Sequence, residues 1–350
     1  MPIRNPGVLR QPRVPRHRVG RDRLVIGLVN NMPDTALHNT ERQFRQLICA
    51  AAGKTSVCLR LFYFAEIPRG ERGRAYVGQH YEEAGALWTD RLDGLIVTGT
   101  EPRAADLLDE PYWAVLARLV AWAEDRTIST VWSCLAAHAA VLYDDGIARQ
   151  ALPEKLSGVF ECRKITDHPI VRGTPLRWRV AHSRYNGVPE AALAAHGYRL
   201  LSRAEATGPD LFVRQKRSLF VYFQGHPEYE PDTLAREYRR DVRRFLTGER
   251  GDYPEMPRGY FNHEATTALA LLRQRALDDR SPDLLATYPA VALVGSSGAS
   301  SRLAVTIYRR WLSYVAQGKR RSDCAEFSAE PSRSDIGAPI PADPDDSPAG

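Results

Sequence analysis

Short apolar runs alternate with amphipathic segments along the first half of the chain. Four of these runs have the length of buried strands and lie at 23–31, 56–65, 92–100 and 128–133. Apolar residues spaced three and four apart predict helices at 40–53, at 111–126 and in the alanine-rich segment after residue 133. Strands that alternate with helices form a mostly parallel sheet with helices on both faces, so the pattern predicts an α/β fold.

The predicted helix at 40–53 also carries signals for both of its ends. Thr40 and Gln43 have the spacing of a capping box, in which each side chain satisfies a backbone N–H of the first turn. Gly53 is of the residue type that most often follows a helix, because it adopts a left-handed conformation without strain. These signals predict a helix that is capped by Thr40.

The second half of the chain departs from this alternation. The stretch LFVRQKRSLFVYFQGHPEY, 211–229, predicts a β-hairpin with its turn at 216–218, which adds antiparallel strands to the sheet. Helices are expected at 231–248 and 301–318. The residues at 250–300 are expected to be irregular or weakly helical.

These elements indicate a single catalytic domain at 21–262 and a helical extension at 263–320 that packs on it. Residues 1–20 are rich in arginine and proline, which predicts a disordered basic arm. Residues 321–350 contain many prolines and few apolar side chains. We therefore expect a disordered tail there.

Composition excludes several classes of protein. The 350 residues are 43% hydrophobic and 26% charged, as in an ordinary globular protein, and no apolar stretch is long enough to span a bilayer. A good part of the net charge of +6 comes from arginines in the basic arm and at 242–250 and 318–322. These arginines lack the interleaved aromatic residues of a nucleic-acid-binding motif. We expect neither a membrane nor a nucleic-acid partner, and the sequence leaves a homodimer open.

The cysteines indicate the compartment and argue against a metal. There are five, without a C-x-x-C pair, so neither a disulfide framework nor a structural zinc site is indicated. The cytoplasm suits such a set, and the N-terminus lacks the apolar core of a secretory signal. Since metal ligands do not cluster at a recognisable spacing, we expect no metal and no resident cofactor.

One cysteine has a distinctive position. In TVWSCLAAHAA, 130–140, Cys134 lies where a predicted strand runs into a helix, at the carboxyl end of a parallel sheet. The first N–H groups of a helix stabilise a thiolate at such a point. Free cysteines are also among the most buried residues, so the position alone allows either a nucleophile or a core side chain.

A histidine in a second stretch could serve that cysteine. QGHPEY, 224–229, places His226 at the end of a predicted strand, with Glu228 two residues further on. A carboxylate at this spacing can hold one imidazole nitrogen and orient the ring, as the third member of a triad does. Taken alone, His-Pro-Glu is more often a solvated turn. Together with Cys134 it indicates a catalytic triad.

Several strings in this chain resemble the homoserine trans-acylase family, which comprises homoserine O-succinyltransferases and O-acetyltransferases. The strings are VTGT, EPYW, EKLSGV, AHSRY and GHPEY followed by TLAREYRRDV, and the resemblance covers about residues 24–262. It implies the flavodoxin-like α/β fold of class I glutamine amidotransferase domains. It also implies that Cys134 is the acyl-thioester nucleophile, His226 the general base and Glu228 the residue that orients the base.

The resemblance further implies a substrate-binding set. Lys155, Ser183 and Arg240 match the lysine, serine and arginine with which the family binds substrate. Arginine can hold the carboxylate of an amino acid through two parallel hydrogen bonds, which suits Arg240 to this task. An ordinary exposed lysine, a turn-forming serine and a surface arginine are the alternatives for each residue taken singly.

Backbone groups near the nucleophile are expected to stabilise the negative oxygen of the acyl-transfer intermediate. The N–H of Leu135, next after Cys134, is one candidate, and an N–H of Gly99 or Thr100 in the turn after the third strand is the other. Gly99 permits a close backbone approach because it has no Cβ.

Two positions depart from the family pattern. His138 stands where the family usually has glutamine, four residues after the cysteine. Arg103 stands at the position associated with the choice of acyl group, where glycine or glutamate is usual. A guanidinium at that point can pair with the free carboxylate of a succinyl group, so the sequence predicts succinyl-CoA rather than acetyl-CoA as the donor.

The expected reaction is a ping-pong O-acylation with acyl-CoA as co-substrate and homoserine as acceptor, on the way to methionine. Serine or another hydroxy amino acid is the alternative acceptor. An amidotransferase-like glutamine hydrolase is a rival from another reaction class, although the segment around Cys134 lacks the small glycines of such enzymes. A binding protein on a retired catalytic scaffold is a third alternative, which the complete triad weakens.

Overall fold

The computed structural model describes residues 8–10, 23–289 and 297–329. Within them, eleven strands join in one sheet. The strands are β1 Val8–Arg10, β2 Leu24–Val29, β3 Val57–Tyr63, β4 Glu82–Glu83, β5 Gly94–Val97, β6 Ser129–Ser133, β7 Gln150–Lys164, β8 Arg177–Gly187, β9 Arg199–Ala204, β10 Gly208–Gln215 and β11 Leu219–Phe223. The α-helices are α1 Asp34–Ala52, α2 Glu71–His80, α3 Trp113–Arg126, α4 Leu135–Asp145, α5 Glu190–Ala195, α6 Thr233–Leu246, α7 His263–Asp278 and α8 Ser297–Ala329.

The sheet has a parallel part and an antiparallel part, which meet at β11. Its order is β1-β3-β2-β5-β6-β11-β10-β9-β7-β8, with β4 beside β3. In the parallel part, strands β1 to β6 pair in parallel with one another, and β11 pairs in parallel with β6. Strand β11 then pairs antiparallel with β10, and β10, β9, β7 and β8 continue antiparallel. The prediction of a mostly parallel sheet is confirmed.

Helices cover both faces of the parallel part, as predicted. Side chains alternate between the faces of β2. Ile26 and Leu28 pack in one core with residues of α1 and α8. Val25 and Val29 pack in a second core with residues of α3 and α4. A third apolar cluster joins α6 to α7.

The predicted start of the first helix is wrong by six residues. Helix α1 begins at Asp34, after Pro33, whose ring holds φ at −62° in an extended conformation before the first turn. Thr40 therefore lies inside the helix and does not cap it. Gln43 instead donates from Nε2 to Oγ1 of Thr233 at 2.7 Å, so this residue joins α1 to α6.

Four further elements were not apparent in the sequence. Strands β7 and β8 form a long hairpin. Buried positions do not alternate regularly in β7, and in β8 they alternate but include the polar residues His182 and Arg184, so neither strand shows a clear apolar pattern. Helix α2 has only two buried residues and hence a weak apolar pattern. Helix α7 is a regular helix inside 250–300, a stretch expected to be irregular or weakly helical, and the side chain of Asn262 caps it by accepting from the N–H of Ala265 at 2.8 Å.

At both ends of the chain, secondary structure occurs within segments that were predicted to be disordered. Residues 8–10 form β1 on the open edge of β3, where unpaired backbone groups favour another strand, so the basic arm is not irregular throughout. Helix α8 continues to Ala329, beyond the predicted start of the tail at 321. The remainder of both predicted segments lies outside the described residues. In the described part, no helix combines the length and apolar character needed to cross a bilayer.

Candidate active site

Cys134 occupies a strained turn between β6 and α4. Its φ of 54° is the only positive value at a non-glycine position in the described part of the chain. Such a conformation costs about 1–3 kcal/mol and concentrates at functional sites. The Cys134 N–H donates to the carbonyl of Phe223 at 2.7 Å, which ties the turn to β11. The side chain is half-buried, whereas Cys58 and Cys162 are fully buried, so the structure favours the nucleophile over the core interpretation.

His226 is held on three sides. Its backbone N–H donates to the carbonyl of Ala181 at 2.8 Å, and its ring stacks on Tyr229 with the centroids 4.3 Å apart. Nδ1 lies 2.9 Å from Oε1 of Glu228, whose side chain is almost fully buried. The other ring nitrogen, Nε2, is buried and not hydrogen-bonded within the described residues, so it is available to a reacting group.

The surroundings of His226 favour its charged form. Burial opposes a charge on the ring, but the Glu228 carboxylate and the Cys134 side chain outweigh burial and raise the pKa of His226 well above its ordinary value. A protonated imidazole between a carboxylate and a sulfur is the arrangement that supports a reactive thiolate. The triad that the sequence predicts is therefore brought together in space.

The predicted oxyanion-binding groups also meet beside Cys134. A Cβ added to Gly99 would lie 3.1 Å from the backbone nitrogen of Leu135, the first residue of α4. Thr98 holds this turn, since its Oγ1 accepts from the N–H of Asn31 at 2.9 Å. A side chain at this position would be in tighter contact with the start of α4 than most Cβ atoms are, so glycine suits the close approach.

A cavity of about 830 Å³ opens over these groups. It lies at the carboxyl ends of the parallel strands, where ligands bind in open α/β sheets. The predicted site residues that line it are Cys134, His226, Glu228, Leu135, Gly99, Thr100, Lys155, Ser183 and Arg240.

The three predicted substrate-binding residues contact one face of α6. Nζ of Lys155 lies 2.8 Å from Oδ2 of Asp241, and Nη2 of Arg240 lies 2.9 Å from Oδ1 of the same carboxylate. Ser183 donates from Oγ to Oε2 of Glu237 at 2.6 Å. Burial would raise the pKa of Asp241, but Lys155 and Arg240 outweigh burial and lower it.

Sequence reasoning missed both acidic residues of this face. Glu237 and Asp241 lie four apart in the predicted helix at 231–248, so they share a face with Arg240. That spacing was a usable signal for a charged site surface.

Arg103, by contrast, is not brought to the cavity. Its side chain is exposed, and its backbone N–H donates to Oε1 of Glu110 at 2.7 Å. Glu110 also accepts from the N–H of Ala104 at 2.9 Å and so holds the loop after β5, whose Pro102 lines the cavity whereas Arg103 does not. The structure gives Arg103 no contact with the predicted acyl site.

A different arginine lies in the cavity wall. Arg184, on β8, is 3% exposed, and its Nη1 and Nη2 donate to the carbonyls of Asn186 at 2.6 Å and Thr207 at 2.5 Å. It is the fourth residue of the AHSRY string, directly after Ser183, and the sequence analysis passed over it.

His138 lies in the wall one helical turn after Cys134 and is buried. Its Nε2 is 3.2 Å from Oε1 of Gln224, whose amide nitrogen donates to the carbonyl of Pro209 at 2.6 Å. Burial lowers the pKa of His138 to about 3, so the ring is neutral. It replaces the glutamine usual in the family without adding a charge.

The fold and the site together define an α/β protein with a cysteine–histidine–glutamate active site at the carboxyl ends of its parallel strands. The family model described as homoserine O-succinyltransferase matches residues 8–319. A homoserine O-succinyltransferase of Methylorubrum extorquens is 48% identical over 84% of this chain and 88% of its own length. One from Rhodopseudomonas palustris is 48% identical over 83% and 88%. The chain belongs to the homoserine O-succinyltransferase family, a family of acyltransferases.

More distant likenesses occur among solved structures. A glutamine amidotransferase from Methylobacillus flagellatus is 16% identical, with a TM-score of 0.47 over 84% of this chain and 95% of that chain. A glutamine amidotransferase from Thermotoga maritima is 12% identical, with a TM-score of 0.44 over 85% of this chain and 100% of that chain.

Proposed function

We propose that this protein transfers a succinyl group from succinyl-CoA to the hydroxyl of homoserine through a thioester on Cys134. The observation that carries the proposal is the meeting of the strained Cys134, the His226–Glu228 pair and the Leu135 and Gly99 backbone in one cavity. Relatives named homoserine O-succinyltransferase, at 48% identity, support the substrates.

In the first half-reaction, the Cys134 thiolate attacks the thioester carbonyl of the donor. The carbonyl oxygen becomes negative and accepts hydrogen bonds from the N–H of Leu135 and from an N–H of the Gly99–Thr100 turn. When this intermediate collapses, the bond between the acyl carbon and the CoA sulfur breaks. The leaving thiolate takes a proton from Nε2 of His226, and the acyl group remains on Cys134.

In the second half-reaction, the acceptor hydroxyl attacks the acyl-cysteine. Nε2 of His226, now unprotonated, takes the hydroxyl proton as the oxygen–carbon bond forms. Collapse of the second intermediate releases the ester and returns Cys134 to its thiolate form beside a protonated ring. Glu228 holds the ring in the same orientation through both steps. None of these steps requires a metal or a resident cofactor.

The charged face of α6 suits an amino-acid acceptor. Arg240 and Lys155 supply cations for its carboxylate, and Glu237 supplies an anion for its ammonium group. Homoserine is longer than serine by one methylene, and such a difference is worth about 1–3 kcal/mol in a fitted site. Preference for homoserine over serine therefore depends on the distance from this face to Cys134, which the acceptor must span.

Arg184, rather than Arg103, supports a succinyl donor. Lys155, Arg240 and Arg244 of the cavity wall each pair with a carboxylate. Arg184 has no carboxylate within ion-pair distance in the described residues, although it is nearly fully buried. A buried cation without an anion is costly, and the free carboxylate of a succinyl group would compensate it. Nη1 and Nη2 each bind one carbonyl, so each has a second N–H to donate.

The compartment follows from the same chemistry. The described cysteines are free thiols, and the reaction depends on one of them. We place the reaction in the cytoplasm, where thiols remain reduced. Its product, an ester that activates the homoserine hydroxyl, would feed methionine synthesis.

Intact-protein mass spectrometry tests the proposal directly. Incubation with succinyl-CoA, without an acceptor, should add one succinyl group to the wild type and none to Cys134→Ala. Homoserine should then remove the adduct and yield the succinyl ester. Failure to form an adduct with any acyl-CoA, together with ammonia release from glutamine, would establish the amidotransferase-like hydrolase instead.

A further inference from the structure

A buried polar cluster behind the cavity wall plays no part in the steps above. Cys162 on β7, His182 on β8 and Asp210 on β10 are 0%, 0% and 2% exposed. One ligand-type atom of each lies within 4.8 Å of the others, which is close enough for a shared metal ion. The positions of the protons decide whether these residues form a metal site or a relay, by which we mean the chain of polar contacts from Asp210 through His182 to Arg184.

The contact with Arg184 determines which nitrogen of His182 carries the proton. Nε of Arg184 lies 3.5 Å from Nδ1 of His182, and a guanidinium can only donate. Burial lowers the pKa of His182 well below its ordinary value, so the ring is neutral and has a single N–H. With Nδ1 as acceptor, the proton lies on Nε2. That N–H lies 3.5 Å from Oδ1 of Asp210, which is too long for a hydrogen bond, so the contact is electrostatic, and a protonated Nε2 offers no lone pair to a metal.

Asp210 also holds the segment that leads into the catalytic histidine. Its backbone carbonyl accepts from the N–H of Gln224 at 2.8 Å, and its carboxylate accepts from the N–H of Gly225. A Cβ on Gly225 would lie 2.7 Å from Oδ1, so the carboxylate and the backbone are in close contact. His226 is the next residue along the chain.

The charges around Arg184 connect the cluster to the cavity. Arg184 is a buried cation in the cavity wall, and the charges that act on it most strongly are those of Cys134 and Asp210. Asp210 thus acts on Arg184 from beyond ion-pair distance, across the ring of His182, while burial raises the pKa of the Asp210 carboxyl. Ser202 keeps the carboxylate oriented by donating from Oγ to Oδ2 at 2.8 Å.

We infer that Asp210 is a positioning residue: through His182 it orients Arg184 toward the acyl group, and through Gly225 it fixes the backbone that carries His226. The part that concerns the acyl group rests on the proposed succinyl transfer. The order of contacts in the relay, with Nδ1 of His182 facing Arg184 and Nε2 facing Asp210, does not depend on the substrates.

Donor kinetics of Asp210→Asn test the inference. We expect kcat/KM for succinyl-CoA to fall about tenfold, the worth of one charge-assisted contact, and kcat/KM for acetyl-CoA to fall clearly less. Cys162→Ala is the matched control, since it removes the thiol that contacts Asp210 but keeps the carboxylate and its contacts with His182 and Gly225, and it should change neither value of kcat/KM. Equal losses for both donors, or equal losses in the control, would reduce Asp210 to a residue of general stability.

The state of His182 supplies a readout that is independent of activity. In ¹⁵N-histidine spectra of the whole protein, assigned with His182→Gln, we expect a neutral ring that is protonated on Nε2 between about pH 6 and 8. A ring protonated on Nδ1, or one zinc ion per chain that is lost in Cys162→Ala, would overturn the relay. If the wild type forms no succinyl thioester, the proposed function fails, and these spectra still decide the relay.

Discussion

The parallel and antiparallel parts of the sheet contribute differently to the site. The parallel part presents Cys134, Leu135 and Gly99 at its strand ends, after strands whose residues are all buried. The antiparallel part presents charged residues such as Lys155 and Arg184. The candidate nucleophile thus lies on the part of the sheet whose pattern is local. Lys155 and Arg184, two of the proposed substrate-binding side chains, lie on the part whose apolar pattern is weak.

Replacement of Cys134 tests the parallel part and should have the largest effect. Cys134→Ala should abolish turnover, and Cys134→Ser should lower kcat by at least about a thousandfold, because an alkoxide forms far less readily than a thiolate. Steady-state rates with succinyl-CoA and homoserine measure this, and circular dichroism melting serves as the control for folding. A Cys134→Ala variant with near-wild-type rates would remove the covalent mechanism.

Glu228 lies five residues after the end of β11, the strand at which the two parts meet. Glu228→Gln should lower kcat by about a hundredfold or more and leave KM nearly unchanged, since the carboxylate orients His226 and does not hold substrate. Kinetics with both substrates varied separate the two parameters. A pure KM effect would instead assign Glu228 to substrate binding.

Arg184 and Arg103 contrast the antiparallel part with a loop of the parallel part. Arg184→Met should lower kcat/KM for succinyl-CoA by about 1–3 kcal/mol and affect acetyl-CoA much less, because only the succinyl group has a carboxylate to lose. Arg103→Ala, the matched control, should change kcat/KM for neither donor. If Arg103→Ala alone reduces succinyl transfer, the loop after β5 closes over the site during the reaction, and the donor assignment to Arg184 is wrong.

The smallest expected effect is on stability and concerns the pair at the junction. His226 has a raised pKa in the folded protein. The stability it contributes is therefore fully present below its unfolded pKa of about 6.5 and is lost as the pH rises through the folded value. Glu228→Gln removes a principal cause of that shift. Urea unfolding should show the largest loss of stability near pH 6 and a shrinking difference toward alkaline pH, and a constant difference would contradict the charged pair.

The parallel part was largely readable from the sequence because its signals are local. Short apolar runs predicted β2, β3, β5 and β6, and the position of Cys134 between a strand and a helix followed from adjacent residues. The same locality explains the triad, since His226 and Glu228 are two residues apart. The start of α1 was missed because the backbone restriction of Pro33 decided it rather than the capping spacing at Thr40.

In the antiparallel part, the hairpin of β10 and β11 was predicted, but β7, β8 and β9 were hidden because their order depends on distant partners. Strand β7 lies beside β8 and β9, and its polar side chains are satisfied by groups far along the chain, such as Asp241 for Lys155. No periodicity within 150–187 records such contacts. The same holds for Asp210, whose partners on β8 and after β11 come from separate segments.

The sequence by itself indicated the α/β class, the family and the candidate cysteine, histidine and glutamate, because these depend on local patterns and on residues close together in the chain. Only the tertiary structure decided which arginine lines the cavity. Arg103 and Arg184 carry the same charge, and one is exposed on a loop held by Glu110 while the other is buried in the cavity wall. Burial removes the water that screens a charge, so the fold determines which of two identical side chains can select a substrate.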